Sequence, residues 1–370
     1  MKKTVYLIGG LMVNDNFGDV IQAKVWIDKY SRHKDLHKVL ICYKEGIPRI
    51  TELFPNIRIE SYERVMKKLK ERTGIKNCFF HFYGGGYLNS YWGKPFAELL
   101  GNLAKNKVSM IATGIQLDKN FYEIYRKEVG ETPEFFDWIS FRDSHSRGLM
   151  TQGDGHICDD VFLHLRRSRS RDSIFRYLNL FPNKAFIQLS LNSYMYENIK
   201  EVDLIDSFRQ VIERLAGKNQ IDIYSSFDKD KDKVAEAEYL YKQLNTDTKV
   251  RFLSVKSFSQ WLMRLRGYRV AIVNSYHTYI VARRRMKCPV YFVAISKFYK
   301  QKAMALEEYG LLDKRHTINS LKDLGRVGTE QEKLDGSYED SFENMFERAN
   351  QIEKHVDKLI RKFIRNLSSK

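Results

Sequence analysis

Short apolar runs alternate with helix-like stretches through both halves of the chain, and this alternation constrains the fold more than any other feature. In the first half the apolar runs are residues 5–12, 38–43, 78–83, 108–113, 138–142 and 156–158, and helical spacing is found at 20–30, 62–72, 95–105 and 144–151. Such alternation predicts βαβ units, and therefore a parallel sheet with right-handed crossovers.

The second half repeats the pattern. Apolar runs at 185–191, 221–224, 250–253, 270–274 and 290–294 predict strands, and helical spacing is found at 204–216, 231–244 and 258–265. The basic, polar segment 166–183 is predicted to connect two domains, with a short helix at 173–180. A chain of 370 residues is long enough for two domains. We place them at 1–165 and 184–335, with a separate terminal segment at 336–370.

The terminal segment carries a different pattern. Apolar residues from Phe342 to Leu367 recur at spacings of three and four, and lysines and arginines occupy the other faces. This pattern predicts one long amphipathic helix. Packing of the helix against the domains is the favoured interpretation, and attachment to an anionic membrane surface is the alternative. No apolar run approaches the length of about 20 residues that a transmembrane helix needs.

The formal net charge of +17 predicts anionic partners. The basic residues are scattered and no nucleic-acid-binding signature is present, so we expect no specific nucleic acid. A phosphorylated, lipid-linked or polyanionic substrate near a membrane fits better, with peripheral contact at the inner face of the cytoplasmic membrane, and a solvated basic surface is the alternative. The four cysteines form no C-x-x-C pair, which predicts reduced, buried thiols in a cytoplasmic protein. The histidines show no ligand spacing, so we predict no metal site and no cofactor.

Polar motifs follow several of the predicted strands, where open α/β sheets bind their ligands. The first includes Asn16, Gly18 and Asp19, after the first strand and before a helix. Free amides at a helix start can face an anion, and a glycine allows a tight turn. The alternative is an ordinary turn in which Asn or Asp caps the helix.

A glycine run and an arginine follow two further strands. Gly84, Gly85 and Gly86 are predicted to end a buried strand, and three glycines indicate that a ligand or the facing domain approaches the backbone. Arg142 ends another strand, where its guanidinium could hold a carboxylate or phosphate. The residues after it could equally cap the next helix.

His277 is the strongest catalytic candidate. It follows the apolar run 270–274, within the triplet Ser275-Tyr276-His277. A histidine at the carboxyl end of a strand can exchange protons near neutral pH. The alternative is a structural histidine with satisfied hydrogen bonds.

Taken in order, these residues make the chain similar to the polysaccharide pyruvyl transferase family over most of its length. The resemblance rests on Asn16-Phe17-Gly18-Asp19, Gly84-Gly85-Gly86, Arg142-Asp143-x-x-Ser146, Asp160-Val161-Phe162, Ser275-Tyr276-His277 and the closing pattern Tyr299-x-x-Lys302 to Gly310-Leu311. It implies an α/β protein with two Rossmann-like, doubly wound parallel-sheet domains facing a cleft, as in GT-B glycosyltransferases.

The resemblance also implies an activity: transfer of pyruvate from phosphoenolpyruvate to two hydroxyls of one sugar, as a cyclic ketal. His277 would be the catalytic acid or base, and the Asn16–Asp19 turn and the glycine run would line the acceptor side. Arg142, Lys302 or Arg283 would supply positive charge, and Ser275 and Tyr276 would lie at the substrate. The acceptor would be a glycan or a lipid-linked oligosaccharide.

Two alternatives stay open at this point. Ser275 and Asn192 stand where characterised members of the family carry arginine. A GT-B-type glycosyltransferase that uses a nucleotide sugar would fit this difference, and so would a non-catalytic scaffold that binds glycan or membrane.

Overall fold

The protein is described by a computed structural model that covers residues 3–12, 16–75, 77–129, 136–150, 157–175, 184–188, 199–216, 220–224, 242–244, 250–253, 267–286, 288–327 and 338–366. The chain forms two compact units. The first comprises Met1–Arg166 together with Met345–Lys370, and the second comprises Arg167–Asn344. Each unit contains one six-stranded sheet.

The first sheet is wholly parallel, with the strand order β3-β2-β1-β4-β5-β6. Its strands are β1 (Lys3–Ile8), β2 (Leu36–Cys42), β3 (Arg58–Ser61), β4 (Cys78–Leu88), β5 (Ser109–Leu117) and β6 (Trp138–Phe141). Its helices are α1 (Phe17–Tyr30), α2 (Ile47–Leu53), α3 (Tyr62–Lys70), α4 (Gly93–Lys105), α5 (Lys119–Val129), α6 (Ser144–Gly148) and α7 (Val161–Phe175), of which the last continues into the second unit.

Burial explains why these strands read as continuous apolar runs. Strands covered on both faces carry apolar residues throughout, and ten of the eleven residues of β4 are buried. Phe80, Phe82 and Ile139 belong to one core cluster that also takes in α4. This core cluster extends along β4 and β5 to their carboxyl ends, where it includes Leu88 and Leu117.

The second sheet is also parallel, with the order β12-β11-β10-β7-β8-β9. Its strands are β7 (Lys184–Gln188), β8 (Gln220–Tyr224), β9 (Val250–Leu253), β10 (Val270–Val273), β11 (Val290–Val293) and β12 (Thr317–Ile318). Its helices include α8 (Glu201–Ala216), α9 (Tyr276–Arg285) and α10 (Lys297–Glu308). Counted from its own first strand, this sheet has the same strand order as the first. The predicted pair of doubly wound parallel-sheet units is confirmed.

Helix α11 (Tyr338–Asn366) is the predicted terminal helix. Its apolar stripe is buried at Phe342, Met345, Phe346, Ala349, Ile352, Val356 and Ile360. In the first unit, His355 stacks on Trp138 with ring centroids 4.7 Å apart. In the second, Glu339 pairs with Arg284 at 2.7 Å. The favoured interpretation, packing of the stripe on protein, matches this structure.

Several details differ from the sequence-based expectations. Strand β1 ends at Ile8, and a 3-10 helix at Gly10–Met12 takes up the rest of the predicted run because two glycines interrupt it. The predicted strand 156–158 is reduced to one bridge between Phe141 and Ile157. Strand β3 and helices α2 and α5 were not predicted.

The predicted connection 166–183 is helical over its first part, because α7 runs without a break to Phe175. The predicted helix 258–265 and most of 231–244 lie outside the described residues. Within the described part of the chain, no helix is both long and apolar enough to cross a membrane.

Candidate functional site

The strand order places the candidate residues at two equivalent positions. In each sheet the order reverses between the first and fourth strands, that is, between β1 and β4 and between β7 and β10. Ligands of open α/β sheets bind at the carboxyl ends of strands beside such a reversal. The Asn16 turn follows β1, the glycine run lies in β4, and His277 follows β10.

The Asn16 turn is a capped helix start. Asn16 is the N-cap of α1, where its side-chain oxygen accepts the backbone N–H of Asp19 at 3.1 Å and its amide donates to the Asp19 carboxylate. Gly18 is the second residue of the helix. The Asp19 carboxylate packs on Gly10, where an added Cβ would lie 2.2 Å from Asp19 Cγ. The turn thus presents a buried carboxylate, and the capping interpretation describes its geometry. Asn14 and Asp15 lie outside the described residues.

The glycine run does not end its strand, which corrects the prediction. Strand β4 continues to Leu88, and its register against β5 shifts between Gly85 and Leu88. Gly84 and Gly85 have φ values of +27° and +105°, which side-chain-bearing residues rarely adopt. The three glycines therefore permit an irregular backbone inside the strand.

Two glutamine side chains occupy the space beside the glycine run. A Cβ on Gly84 would lie 2.1 Å from Gln22 Nε2, and a Cβ on Gly86 would lie 2.7 Å from Gln116 Oε1. The close approach that the glycines allow is therefore made, at least in part, by polar side chains of the same unit. Gly86 is the partly exposed member of the run.

Arg142 binds a carboxylate, as predicted for a ligand, but this carboxylate is the side chain of Asp159. It is 1% exposed, donates from Nη1 to Asp159 at 3.4 Å, and donates from Nη2 to Gln116. Asp159 also accepts Gln22 Nε2 at 3.1 Å. Since a carboxylate only accepts and a guanidinium only donates, these bonds fix the orientation of both glutamine amides. Arg142 thus completes a polar ring around the glycine run, and its assignment to a ligand's anion stays a prediction. The next residue, Asp143, caps α6 by accepting the Ser146 N–H at 2.7 Å.

Asp160 is the second acidic residue at the run. One oxygen, Oδ2, accepts the Gly84 N–H at 3.0 Å, the Trp26 indole N–H at 2.8 Å and the Thr113 hydroxyl at 2.7 Å. The other, Oδ1, has no hydrogen-bond partner among the described residues. Burial and, to a smaller extent, the neighbouring Asp159 raise the pKa of Asp160 to about 7, although its three hydrogen-bond donors act to lower it.

The network extends from Asp160 through Thr113 to a buried histidine. His81 Nε2 lies 3.0 Å from Thr113 Oγ1, and His81 Nδ1 lies 2.9 Å from Tyr30 Oη. Because the Thr113 hydroxyl donates to Asp160, His81 donates from Nε2 and accepts from Tyr30. Burial lowers the pKa of His81 to about 3, so the ring is neutral at physiological pH.

In the second unit a glutamine bridges the point of strand reversal. Gln188 ends β7, and its side-chain oxygen accepts the backbone N–H groups of Asn274 at 3.3 Å and Ser275 at 2.9 Å. Ser275 then caps α9 by accepting the Thr278 N–H at 3.5 Å. These bonds fix the turn that carries His277.

His277 lies in the first turn of α9 and is 8% exposed. Its ring meets Tyr276 edge to face, with centroids 5.2 Å apart. A histidine held on a rigid turn at the carboxyl end of a strand can donate or accept a proton at a bound ligand. The structure thus brings Ser275, Tyr276 and His277 together, as their adjacency requires.

The remaining candidate cations of this unit lie elsewhere. Arg283, at the other end of α9, places its guanidinium 3.6 Å from the centre of the Tyr338 ring. Lys302 lies on α10, where its ammonium is 4.1 Å from the centre of the Phe298 ring and 4.6 Å from that of Tyr299. Asn192 lies outside the described residues. Within the described chain, no cluster of three or more potential ligands for a metal ion is found.

Sequence reasoning missed three residues that shape these positions, Gln22, Gln116 and Gln188, and it assigned no site role to Asp159, which precedes the Asp160-Val161-Phe162 motif. Each acts through atoms far away in sequence; the Gln22–Asp159 bond, for example, spans 137 positions. Of these residues, Gln188 could have been recognised from the sequence, because it is a polar residue inside an apolar strand.

Comparison with known proteins places the chain in context. The family model for polysaccharide pyruvyl transferase matches residues 16–295. No curated protein sequence matches the chain significantly.

Solved structures are similar in fold. HepE of Anabaena, in complex with UDP-glucose, is 11% identical, with all of both chains covered and a TM-score of 0.51. MnaA of S. aureus, solved with UDP, is 13% identical, with 98% of this chain and 97% of that chain covered and a TM-score of 0.59. The UDP-GlcNAc 2-epimerase of Methanocaldococcus jannaschii is 13% identical, with 96% and 99% covered and a TM-score of 0.54. At these identities the likeness concerns the fold, which is GT-B-like.

Proposed function

Because this chain belongs to the polysaccharide pyruvyl transferase family, we propose that it transfers pyruvate from phosphoenolpyruvate to a sugar of a cell-surface glycan, or of its lipid-linked precursor, as a cyclic ketal. The family match carries the proposal, because it spans both units and includes the glycine run, Arg142 and His277.

The chemistry defines what the protein has to supply. Two sugar hydroxyls add to C2 of phosphoenolpyruvate, and the bond between C2 and the phosphate oxygen breaks. One hydroxyl proton goes to C3, which becomes a methyl group, and the other leaves with phosphate. The reaction therefore needs a proton donor at C3, a base for a hydroxyl, and positive charge near phosphate. General acid–base assistance is worth about 10²–10⁴-fold in rate.

His277 is the group we assign to proton transfer. It is held by the Gln188–Ser275 hydrogen bond and by the start of α9, so its ring has a defined position. Lys302 and Arg283 are the candidate cations of the second unit for the donor's carboxylate or phosphate, and each lies against an aromatic ring in this structure.

The glycine run is the part of the first unit we assign to the acceptor. Its surroundings hold one cation, Arg142, which already pairs with Asp159, and further carboxyl groups at Asp19 and Asp160. A neutral sugar suits such a site better than the trianionic donor does. The exposed basic residues of α11 support peripheral contact with an anionic membrane, near a lipid-linked acceptor; they are Lys354, Lys358, Arg361, Lys362 and Arg365.

A nucleotide-sugar glycosyltransferase is the second candidate. Two solved structures of similar fold hold UDP-glucose or UDP, and Ser275 stands where characterised pyruvyl transferases have arginine. This candidate predicts transfer of a sugar from a nucleotide sugar and no use of phosphoenolpyruvate.

One experiment separates the candidates. Purified protein is incubated with lipid-linked oligosaccharides and either ¹⁴C-phosphoenolpyruvate or ¹⁴C-UDP-glucose. Acid-labile label from phosphoenolpyruvate in the glycan, with release of phosphate, supports pyruvyl transfer. Label from UDP-glucose supports the glycosyltransferase, and binding of oligosaccharide without transfer from either donor supports a non-catalytic scaffold.

A further inference from the structure

Asp160 lies at the centre of the first unit's polar network, yet neither proton transfer nor charge balance for the donor requires it. It is 1% exposed and precedes α7. A carboxyl group buried so deeply is costly unless its hydrogen bonds compensate. All three donors to Asp160 converge on the single oxygen Oδ2.

One of these donors is the backbone of the glycine run. Gly84 N–H points at Asp160 Oδ2, 76 positions away in sequence, at 3.0 Å. Gly84 and Gly85 both have positive φ, and the ladder to β5 is irregular after Gly85. Glycine has the largest backbone freedom of any residue, so such a segment needs an external contact to hold one conformation.

The other two donors fix Asp160 itself. The Trp26 indole comes from α1, and the Thr113 hydroxyl comes from β5. Both donors are fully buried, as are His81 and Tyr30 behind Thr113. Hydrogen bonds from α1 and β5 therefore hold the carboxyl group of Asp160 in place. In this position the carboxyl group accepts the Gly84 N–H and so restrains the glycine backbone.

We propose that Asp160 is a positioning residue for the acceptor: its carboxyl group fixes the backbone of Gly84–Gly86, so that the run presents one defined surface to the sugar. The part concerning the acceptor rests on the proposed function. The part concerning the backbone does not, and the two are tested by separate measurements.

The backbone part is tested by amide hydrogen exchange of Gly84, measured against the amides of β1 as a reference for global opening. In Asp160→Ala the Gly84 amide should exchange about tenfold faster or more relative to β1, the usual effect of losing a buried hydrogen bond. Asp160→Asn keeps an acceptor oxygen and should restore protection. If Asp160→Ala does not fold, Asp160→Glu, which displaces the carboxyl group by one methylene, serves the same purpose.

Thr113→Val is the matched control, because it removes a donor to the same oxygen without touching Gly84. It should deprotect Gly84 relative to β1 less than Asp160→Ala does, because Asp160 stays in place to accept from Trp26 and Gly84. Equal protection of Gly84 in wild type and in the folded Ala or Glu variant would overturn the proposal, as would equal loss in Thr113→Val.

The acceptor part is tested by steady-state kinetics with ¹⁴C-phosphoenolpyruvate and lipid-linked oligosaccharide. The variant that deprotects Gly84 should raise KM for the oligosaccharide about tenfold and leave KM for phosphoenolpyruvate within about twofold. Equal changes in both constants would overturn this part. Absence of turnover in the wild type would contradict the proposed function and leave the exchange result standing.

Discussion

Gln188 and Ser275 are joined across the strand reversal of the second sheet: Gln188 Oε1 accepts the Ser275 backbone N–H at 2.9 Å. The same oxygen accepts the buried Asn274 N–H, so one side chain satisfies two backbone amides at the end of β10. His277 follows two residues later, in the first turn of α9. The position of the catalytic candidate thus depends on a residue from a different strand.

Replacing Gln188 should therefore impair the site and the fold together. Gln188→Met has a similar size but leaves two amides without their acceptor, which costs about 1–3 kcal/mol for each buried group. Gln188→Glu retains an oxygen at the same place and should retain more activity. Urea denaturation and the transfer assay measure the two effects. A Met variant with wild-type stability would show that the bridge is dispensable.

The glycine run should not tolerate even a methyl group at Gly84. Its φ of +27° is strained for alanine, and the new Cβ would lie 2.1 Å from Gln22 Nε2. We expect Gly84→Ala to destabilise the protein by several kcal/mol, roughly the upper range for point mutants. The matched control is Gly148→Ala, since no atom lies within 4 Å of a Cβ there. Thermal unfolding of both variants checks the prediction, and equal melting temperatures would contradict it.

For a substitution at Gly86, the sequence pattern and the structure predict different outcomes. If a ligand approaches this backbone, as the glycine run indicates, Gly86→Val would weaken ligand binding without unfolding the chain. In the structure an added Cβ lies 2.7 Å from Gln116 Oε1 and 3.0 Å from Arg142 Nη2. Both partners are buried and bonded to one another, so we now expect Gly86→Val to reduce stability as well. A Gly86→Val variant with wild-type stability and a raised KM would instead support close approach of a ligand to this backbone.

The raised pKa of Asp160 makes a prediction for pH. The protonated acid is favoured in the folded state, so its contribution to stability is present below the ordinary value of 3.8 and is lost as pH rises through about 7. The difference of about 3 between the two pKa values corresponds to about 4 kcal/mol. Asp160→Asn cannot ionise. The stability of wild type relative to this variant should therefore fall between about pH 4 and pH 7, and a constant difference by urea denaturation would contradict the prediction.

The contact between α1 and α11 should be a major source of stability. Lys29 is 3% exposed and pairs with Glu353 at 3.2 Å and also with Asp357. Removing one partner of a buried pair costs about 3 kcal/mol, so Lys29→Met should lower the free energy of unfolding by about that amount.

Lys24 on the same helix provides the control for this comparison. It is 45% exposed and pairs with Asp28 at 3.1 Å. Exposed pairs contribute little, so Lys24→Met should change stability by less than about 0.5 kcal/mol. Similar losses in the two variants would show that the contact with α11 is not specific.

The fold followed from the sequence because its signals are local. Alternating apolar and helical spacing is set by strand and helix geometry, and it placed most of the described strands within a few residues of their observed positions. The stripe from Phe342 to Leu367 likewise defined α11. Strand β3 was not predicted because only one of its four residues, Glu60, is buried, so the strand carries no apolar run.

The site was less predictable because its interactions are long-range. The sequence indicated that other atoms lie close to the backbone of Gly84–Gly86, but it did not indicate that these atoms belong to Gln22 and Gln116. It indicated Arg142 as an anion ligand, but not that its guanidinium pairs with Asp159 inside the protein. Such pairings depend on which strands and helices become neighbours, and local spacing carries no information on that.

Pyruvyl transfer assisted by His277 can be tested in one assay. ¹⁴C-phosphoenolpyruvate and lipid-linked oligosaccharide are incubated with wild type and with His277→Ala, after circular dichroism has shown that both are folded. We predict acid-labile label in the glycan with wild type and at least about a hundredfold less with the variant, the lower range for loss of an acid–base group. Label transferred by the variant at more than about a tenth of the wild-type rate, or no transfer by wild type, would contradict the account.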